Sequence, residues 1–201
     1  MWIGPSKCDE YRLAREKDIE EIWNKLISTR GFEETYSLFG SAIDLFREAL
    51  SCYQNGAYMA AALMCRACIE TAVYLLISRK IEWQKDLEIV QDVEVNYNSI
   101  RDEWKCILCK AKMHGYIDDE LEQRIGEVRE FGNFVAHYGQ RYDKESIRAI
   151  EKIIKDKNTK EIKYWINRED SLQILNTTVS LLGSLIEKTF ERLLRSNEVV
   201  Q

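Results

Sequence analysis

The stretch "AYMAAALMCRACIETAVYLLIS", residues 57–78, decides the fold class. On a helix it is apolar on every side except at Arg66, Glu70 and Thr71. A helix that is apolar all round is buried among other elements. Because Arg66 and Glu70 lie near its middle, the stretch lacks the long uncharged run that a membrane span needs. We therefore expect the central helix of a bundle, with no membrane contact.

Amphipathic helices are predicted around it, since one proline and nine glycines in 201 residues leave few helix breakers. The first helix is expected from about Ser6 to the "TRGF" of residues 29–32. The others are expected at about 33–54, 57–79, 99–113, 118–138 and 171–195, with a short charged helix at 143–157. Gly56 is suited to a left-handed C-cap, and Asp170-x-x-Gln173 to a capping box. Alternating apolar residues near 93–97 and 162–166 predict two short strands that could pair. The expected fold is an all-α bundle domain (33–201) with an added N-terminal helix (1–32).

The segment "VREFGNFVAH", residues 128–137, carries a polar ridge of Arg129, Asn133 and His137, each four residues from the next. Gly132 and Ala136 are small and flank this ridge. Small residues at this spacing let another helix approach closely, which would explain a glycine that costs a helix about 1 kcal/mol.

Arg66 and Glu70 are candidate partners for the ridge. Arg before Glu is the weaker order for an ion pair within one helix, and charges in an apolar helix need partners. We therefore predict that Arg66 and Glu70 face Asn133 and His137 in a polar network between two helices. The alternative is that both charges reach solvent along a gap in the bundle.

These two helices resemble an uncharacterised bacterial and archaeal domain family, whose members occur alone and at the C-terminal end of restriction-enzyme subunits. The family couples a G-x-Y-x-A-A-x-x-x-x-R-x-x-x-E helix to an R-x-x-G-N-x-x-A-H helix. The first pattern is matched, within a residue of spacing, by Gly56, Tyr58, Ala60, Ala61, Arg66 and Glu70, and the second by Arg129, Gly132, Asn133, Ala136 and His137. The resemblance covers about residues 40–195.

That family is similar in turn to the HEPN-like superfamily of up-and-down helical bundles from toxin–antitoxin, anti-phage and RNA-processing systems. Active members carry an R-x(4–6)-H motif, usually with Asn directly after the Arg, and cleave RNA without metal across a homodimer. Here Gly132 stands before Asn133, and Arg129 leaves seven residues before His137. The resemblance implies a homodimer, with His137 as general base and Arg129 or Arg66 as phosphate ligand if the chain is a ribonuclease. The displaced arginine favours a structural role for His137 and Asn133.

Two Cys-x-x-Cys pairs raise the question of zinc. Cys106, Cys109, His114 and Asp119 follow a spacing close to that of a zinc knuckle. Both pairs, however, lie in helix-forming runs without the glycine or proline of a knuckle turn, and Cys65 and Cys68 alternate with small core residues. Buried free thiols are therefore expected for both pairs, with no cofactor.

The net charge of −5 and a pI near 5.3 disfavour non-specific nucleic-acid binding by the whole surface. The N-terminal residues lack the basic and apolar segments of a signal peptide, so we expect a cytoplasmic protein with reduced cysteines. Three functions are compatible with these observations. The favoured one is a non-catalytic module of a defence or stress system that binds a protein, RNA or nucleotide. The alternatives are a metal-independent endoribonuclease and a zinc-stabilised adaptor.

Overall fold

The computed structural model describes residues 7–85, 100–136 and 166–198. Within these ranges the chain forms six helices and no strand, which confirms the all-α prediction. The helices are α1 (Lys7–Ile27), α2 (Phe32–Gln54), α3 (Tyr58–Lys85), α4 (Ile100–Met113), α5 (Asp119–Ala136) and α6 (Arg168–Glu198). The strand predicted near 93–97, residues 162–165 of the strand predicted near 162–166, the charged helix at 143–157 and His137 lie outside the described residues.

Helix α3 is the centre of the bundle, since it packs against α2, α4, α5 and α6. Small side chains make this possible, because they let neighbouring helices approach from several sides. Fully buried members of this set are Ala61, Ala62, Cys65, Cys68 and Ala72. The helix is not buried all round as its composition suggested, since Tyr74 is 54% exposed. By length and composition its segment Tyr58–Ser78 could cross a membrane, but half of it is buried inside the bundle.

The outer helices bury the apolar stripes that the sequence predicts. The buried stripe of α2 includes Ala42, Phe46, Ala49, Leu50 and Tyr53, and that of α6 includes Leu175, Val179, Leu182 and Ile186. Helix α1 packs on α2 and α6, and its Ile22 and Leu26 belong to the same hydrophobic core. The N-terminal helix therefore shares the interior of the bundle.

Helix α6 begins at Arg168, three residues before the predicted start. The Asn167 side chain accepts a hydrogen bond from the Asp170 N–H at 2.9 Å. The Asp170 carboxylate accepts one from the Asn167 N–H at 3.1 Å. This is a reciprocal capping box, so Asp170 is its third helical residue and the predicted Asp170–Gln173 box is wrong. The predicted role of Gly56 agrees with its left-handed φ of 76°, one residue after Asn55, the C-cap of α2.

Candidate functional site

An open groove of about 350 Å³ lies between α3, α4 and α5. Helix α3 lines it with Arg66, Ala67, Glu70, Thr71 and Tyr74, α4 with Trp104 and Ile107, and α5 with Arg129. The groove therefore combines two guanidinium groups, one carboxylate and two large aromatic side chains.

Glu70 joins two of the groove's helices. Its Oε1 accepts a hydrogen bond from Nε of Arg66, one turn earlier on α3, at 3.0 Å. The same oxygen accepts a hydrogen bond from Nε of Arg129 on α5 at 2.9 Å. The three side chains are between 21% and 29% exposed, so water still screens these ion pairs partly. One carboxylate thus neutralises one of two arginines, and the three groups together carry one positive charge.

Trp104 contacts the Arg129 guanidinium. The indole is 9% exposed, and the guanidinium carbon lies 5.1 Å from its ring centroid. This is the geometry of a cation–π contact. Arg129 is therefore oriented by both a carboxylate and an aromatic face. Among the described residues, no hydrogen bond accompanies these contacts from a terminal nitrogen of either arginine.

Gly132 lets the stem of Arg66 cross α5. A Cβ at this position would lie 2.6 Å from both Cβ and Cδ of Arg66, well inside van der Waals contact. The close approach at Gly132 is thus made to a side chain of α3. Ala136, which the sequence grouped with Gly132, is solvent-exposed.

The described part of the polar network has Arg129 as its α5 partner. The predicted contact of Arg66 and Glu70 with His137 involves a residue outside the described ranges and stays a prediction. Glu70 bonds Arg129, while Asn133 is half-buried one turn further along α5. Arg66 and Glu70 also pair within α3 despite the weaker order of their charges. This pairing within α3 occurs because the Glu70 carboxylate accepts hydrogen bonds from both guanidinium groups at once. Of the predicted catalytic pair, Arg129 lies in the groove and His137 lies outside the described residues.

The four zinc candidates do not form a ligand set. Cys106 and Cys109 are free thiols on α4, but both are exposed, so the expectation of buried thiols is wrong for this pair. Asp119 instead forms an ion pair with Lys112, and His114 is half-buried. In the part of the chain that the structure describes, no three or more His, Cys, Asp or Glu side chains are grouped to hold a metal ion.

A second polar cluster was missed by sequence reasoning. The buried Tyr53 hydroxyl donates to Asp18 of α1 at 2.5 Å, and Arg168 of α6 donates to both groups. Burial, followed by the hydrogen bond to Asp18, raises the pKa of Tyr53 well above its usual range. The phenol therefore stays protonated and ties α2 to two other helices. By its position Tyr53 belongs to the apolar stripe of α2, and no sequence spacing connects Asp18, Tyr53 and Arg168, which lie far apart in the chain.

Comparison with known proteins identifies a family but no individual relative. No curated protein and no solved structure matches the chain. A family model described as "Domain of unknown function (DUF4145)" matches residues 47–163, which is more than half of the chain. All the groove-lining residues lie within that range, whereas Asp18 and Arg168 lie outside it. The chain therefore belongs to the DUF4145 family of domains of unknown function.

Proposed function

We propose that this chain is a non-catalytic helical binding module whose groove between α3, α4 and α5 receives a phosphate-bearing partner, an RNA or a nucleotide. The observation that carries the proposal is the pair of arginines held by a single carboxylate, Glu70, at an open groove. Guanidinium groups match phosphate oxygens in charge and geometry. Because Glu70 uses only Nε of each arginine, their terminal nitrogens can donate to an incoming anion.

One exposed aromatic side chain supports a nucleotide over a bare anion. Tyr74 lines the groove and is 54% exposed, whereas Trp104 is 9% exposed and contacts Arg129. Bases of single-stranded nucleic acid stack on exposed aromatic side chains such as that of Tyr74, and each stacked base contributes about 1–3 kcal/mol. The acidic net charge of −5 implies that binding is confined to the groove.

The wider setting follows from the resemblance to HEPN-like bundles. We infer a homodimer acting in a prokaryotic defence or stress system. A second candidate is a metal-independent endoribonuclease, favoured by the position of Arg129 in an open groove on the helix that leads to His137. The contacts of Arg129 with Glu70 and Trp104 restrict the movement of its side chain. This restriction supports a binding role in preference to a catalytic one.

Fluorescence anisotropy with a short labelled single-stranded RNA at low salt tests the proposal. We expect Arg66→Gln and Arg129→Gln each to weaken binding roughly tenfold and to reduce the salt dependence by about one counterion. Arg124→Gln is the matched control, because Arg124 lies on α5 but does not line the groove. Absence of RNA binding by the unmodified chain, or equal weakening by Arg124→Gln, would contradict the proposal.

The same samples separate binding from cleavage. The RNA is incubated with the protein in the presence of a metal chelator and then examined on a denaturing gel. Intact RNA supports the binding module. Cleavage that disappears in His137→Ala would show that the ribonuclease alternative is the correct one.

A further inference from the structure

Three sulfur-bearing side chains form one stripe on α4, here called the sulfur stripe: Cys106, Cys109 and Met113. They occupy positions i, i+3 and i+7, which lie on one face of a helix. The opposite face of α4 packs into the bundle through Trp104, Leu108 and Ala111. The helix therefore turns all three sulfur atoms away from the core.

The stripe is open to solvent. Cys106 and Cys109 are both exposed free thiols, and Met113 is 78% exposed. Cys65 and Cys68 have the same spacing on α3 but are completely buried, and burial raises the pKa of the Cys65 thiol to about 12. Equal spacing thus has opposite consequences, since one pair packs in the core and the other is accessible to a ligand.

Helix geometry disfavours a disulfide between the two exposed thiols. Residues three apart on a helix have Cβ atoms about 5–6 Å apart, whereas a disulfide needs about 3.5–4.5 Å. A metal–sulfur bond of about 2.3 Å lets one ion hold two sulfur atoms up to about 4.6 Å apart. The spacing in α4 therefore suits two thiolates bridged by a metal ion.

We propose that the sulfur stripe is a binding site for one soft monovalent metal ion of the Cu(I) class, held by the thiolates of Cys106 and Cys109 and the thioether of Met113. Thiolate and thioether ligands select Cu(I) over harder cations. Binding converts two thiols and one monovalent cation into a complex of charge −1 and releases two protons to solvent. No oxidation or reduction takes place.

Lysines on the same helix suit this charge. Lys105 lies four residues before Cys109, and Lys110 lies four residues after Cys106. Side chains at this spacing are neighbours on a helix surface, so both ammonium groups favour the anionic complex. Because the ligands bind the metal as thiolates, binding releases protons and metal affinity increases with pH.

Anaerobic titration of the reduced full chain with Cu(I), in competition with a colorimetric Cu(I) chelator, tests the site. We expect one ion per chain in the unmodified protein and loss of that ion in Cys106→Ser/Cys109→Ser. Met113→Leu keeps both thiolates but removes the third ligand, so it should weaken binding at least about tenfold, which is the lower end of the loss caused by removing even an outer partner of a metal ligand.

The buried thiol pair provides the matched control. Cys65→Ala/Cys68→Ala should still bind one ion per chain, and its far-UV circular dichroism reports whether the bundle is intact. Cys52→Ser, which leaves the core thiols in place, serves the same purpose if the double variant does not fold. Unchanged binding by Cys106→Ser/Cys109→Ser would overturn the proposal. So would a stoichiometry of one ion per two chains, because that ion would be shared between copies.

Discussion

Replacing Gly132 with alanine gives the most direct test of how α3 and α5 pack. A new Cβ would lie 2.6 Å from Cβ of Arg66, an atom whose position is set by the backbone of α3. A different side-chain rotamer of Arg66 cannot remove this clash, so the two helices must move apart. Such overpacking costs about 1–3 kcal/mol, and the shift also disturbs the ion pairs of Glu70.

Helix propensity acts in the opposite direction. Alanine is favoured over glycine in a helix by about 1 kcal/mol. We therefore expect a net loss of up to about 2 kcal/mol in the free energy of unfolding, which is the steric cost of about 1–3 kcal/mol less the gain in propensity of about 1 kcal/mol. For a chain of this size, the melting temperature falls by about 2–4 °C per kcal/mol.

Gly126→Ala is the matched control, since Gly126 is on the same helix and a Cβ there meets nothing within 4 Å. This variant should gain up to about 1 kcal/mol, because only the propensity difference applies. Urea unfolding followed by circular dichroism measures both variants. The two substitutions must change stability in opposite directions, and a Gly132→Ala protein as stable as Gly126→Ala would refute the reasoning.

Four further substitutions, one of them a control, test contacts elsewhere. Tyr53→Phe removes a hydroxyl bonded to a carboxylate and a guanidinium, so urea unfolding should show a loss of about 1.5–3 kcal/mol. Asn167→Ala removes the N-cap of α6 and should cost about 1 kcal/mol, whereas Gln173→Ala should change stability by less than about 0.5 kcal/mol in the same assay. The hydrogen bond from Lys188 lowers the pKa of Asp118, so its carboxylate stabilises the fold above its unfolded pKa. Asp118→Asn should therefore be less stable than the unmodified chain near pH 7. Thermal unfolding should show that this difference shrinks as pH falls below about 4; a constant difference would exclude the charge as its cause.

The helices were predictable because their information is local. The spacing of apolar residues along α2 and α6 determines which face of each helix is buried, without reference to the rest of the chain. The composition of α3 likewise identified the central helix. Its exposed Tyr74 could not be predicted, since exposure depends on where the neighbouring helices leave a gap.

The candidate site was predictable only in part. Arg66, Glu70 and Arg129 could each be singled out from the sequence, because charges in or beside apolar helices need partners. Glu70 bonds both arginines, and Trp104 packs against one of them. Both contacts depend on the distance and rotation between helices. Periodicity within one helix contains no information about either quantity.

The sequence by itself therefore determined the all-α class, the buried faces of the helices and the close approach of a neighbouring helix at Gly132. Only the tertiary structure decided which charges meet, through the groove around Glu70 and the bond from Tyr53 to Asp18. The physical reason is one of range: a helix is specified by neighbours three and four residues apart. A side-chain cluster depends instead on how whole helices pack, where a shift of one ångström makes or breaks a hydrogen bond.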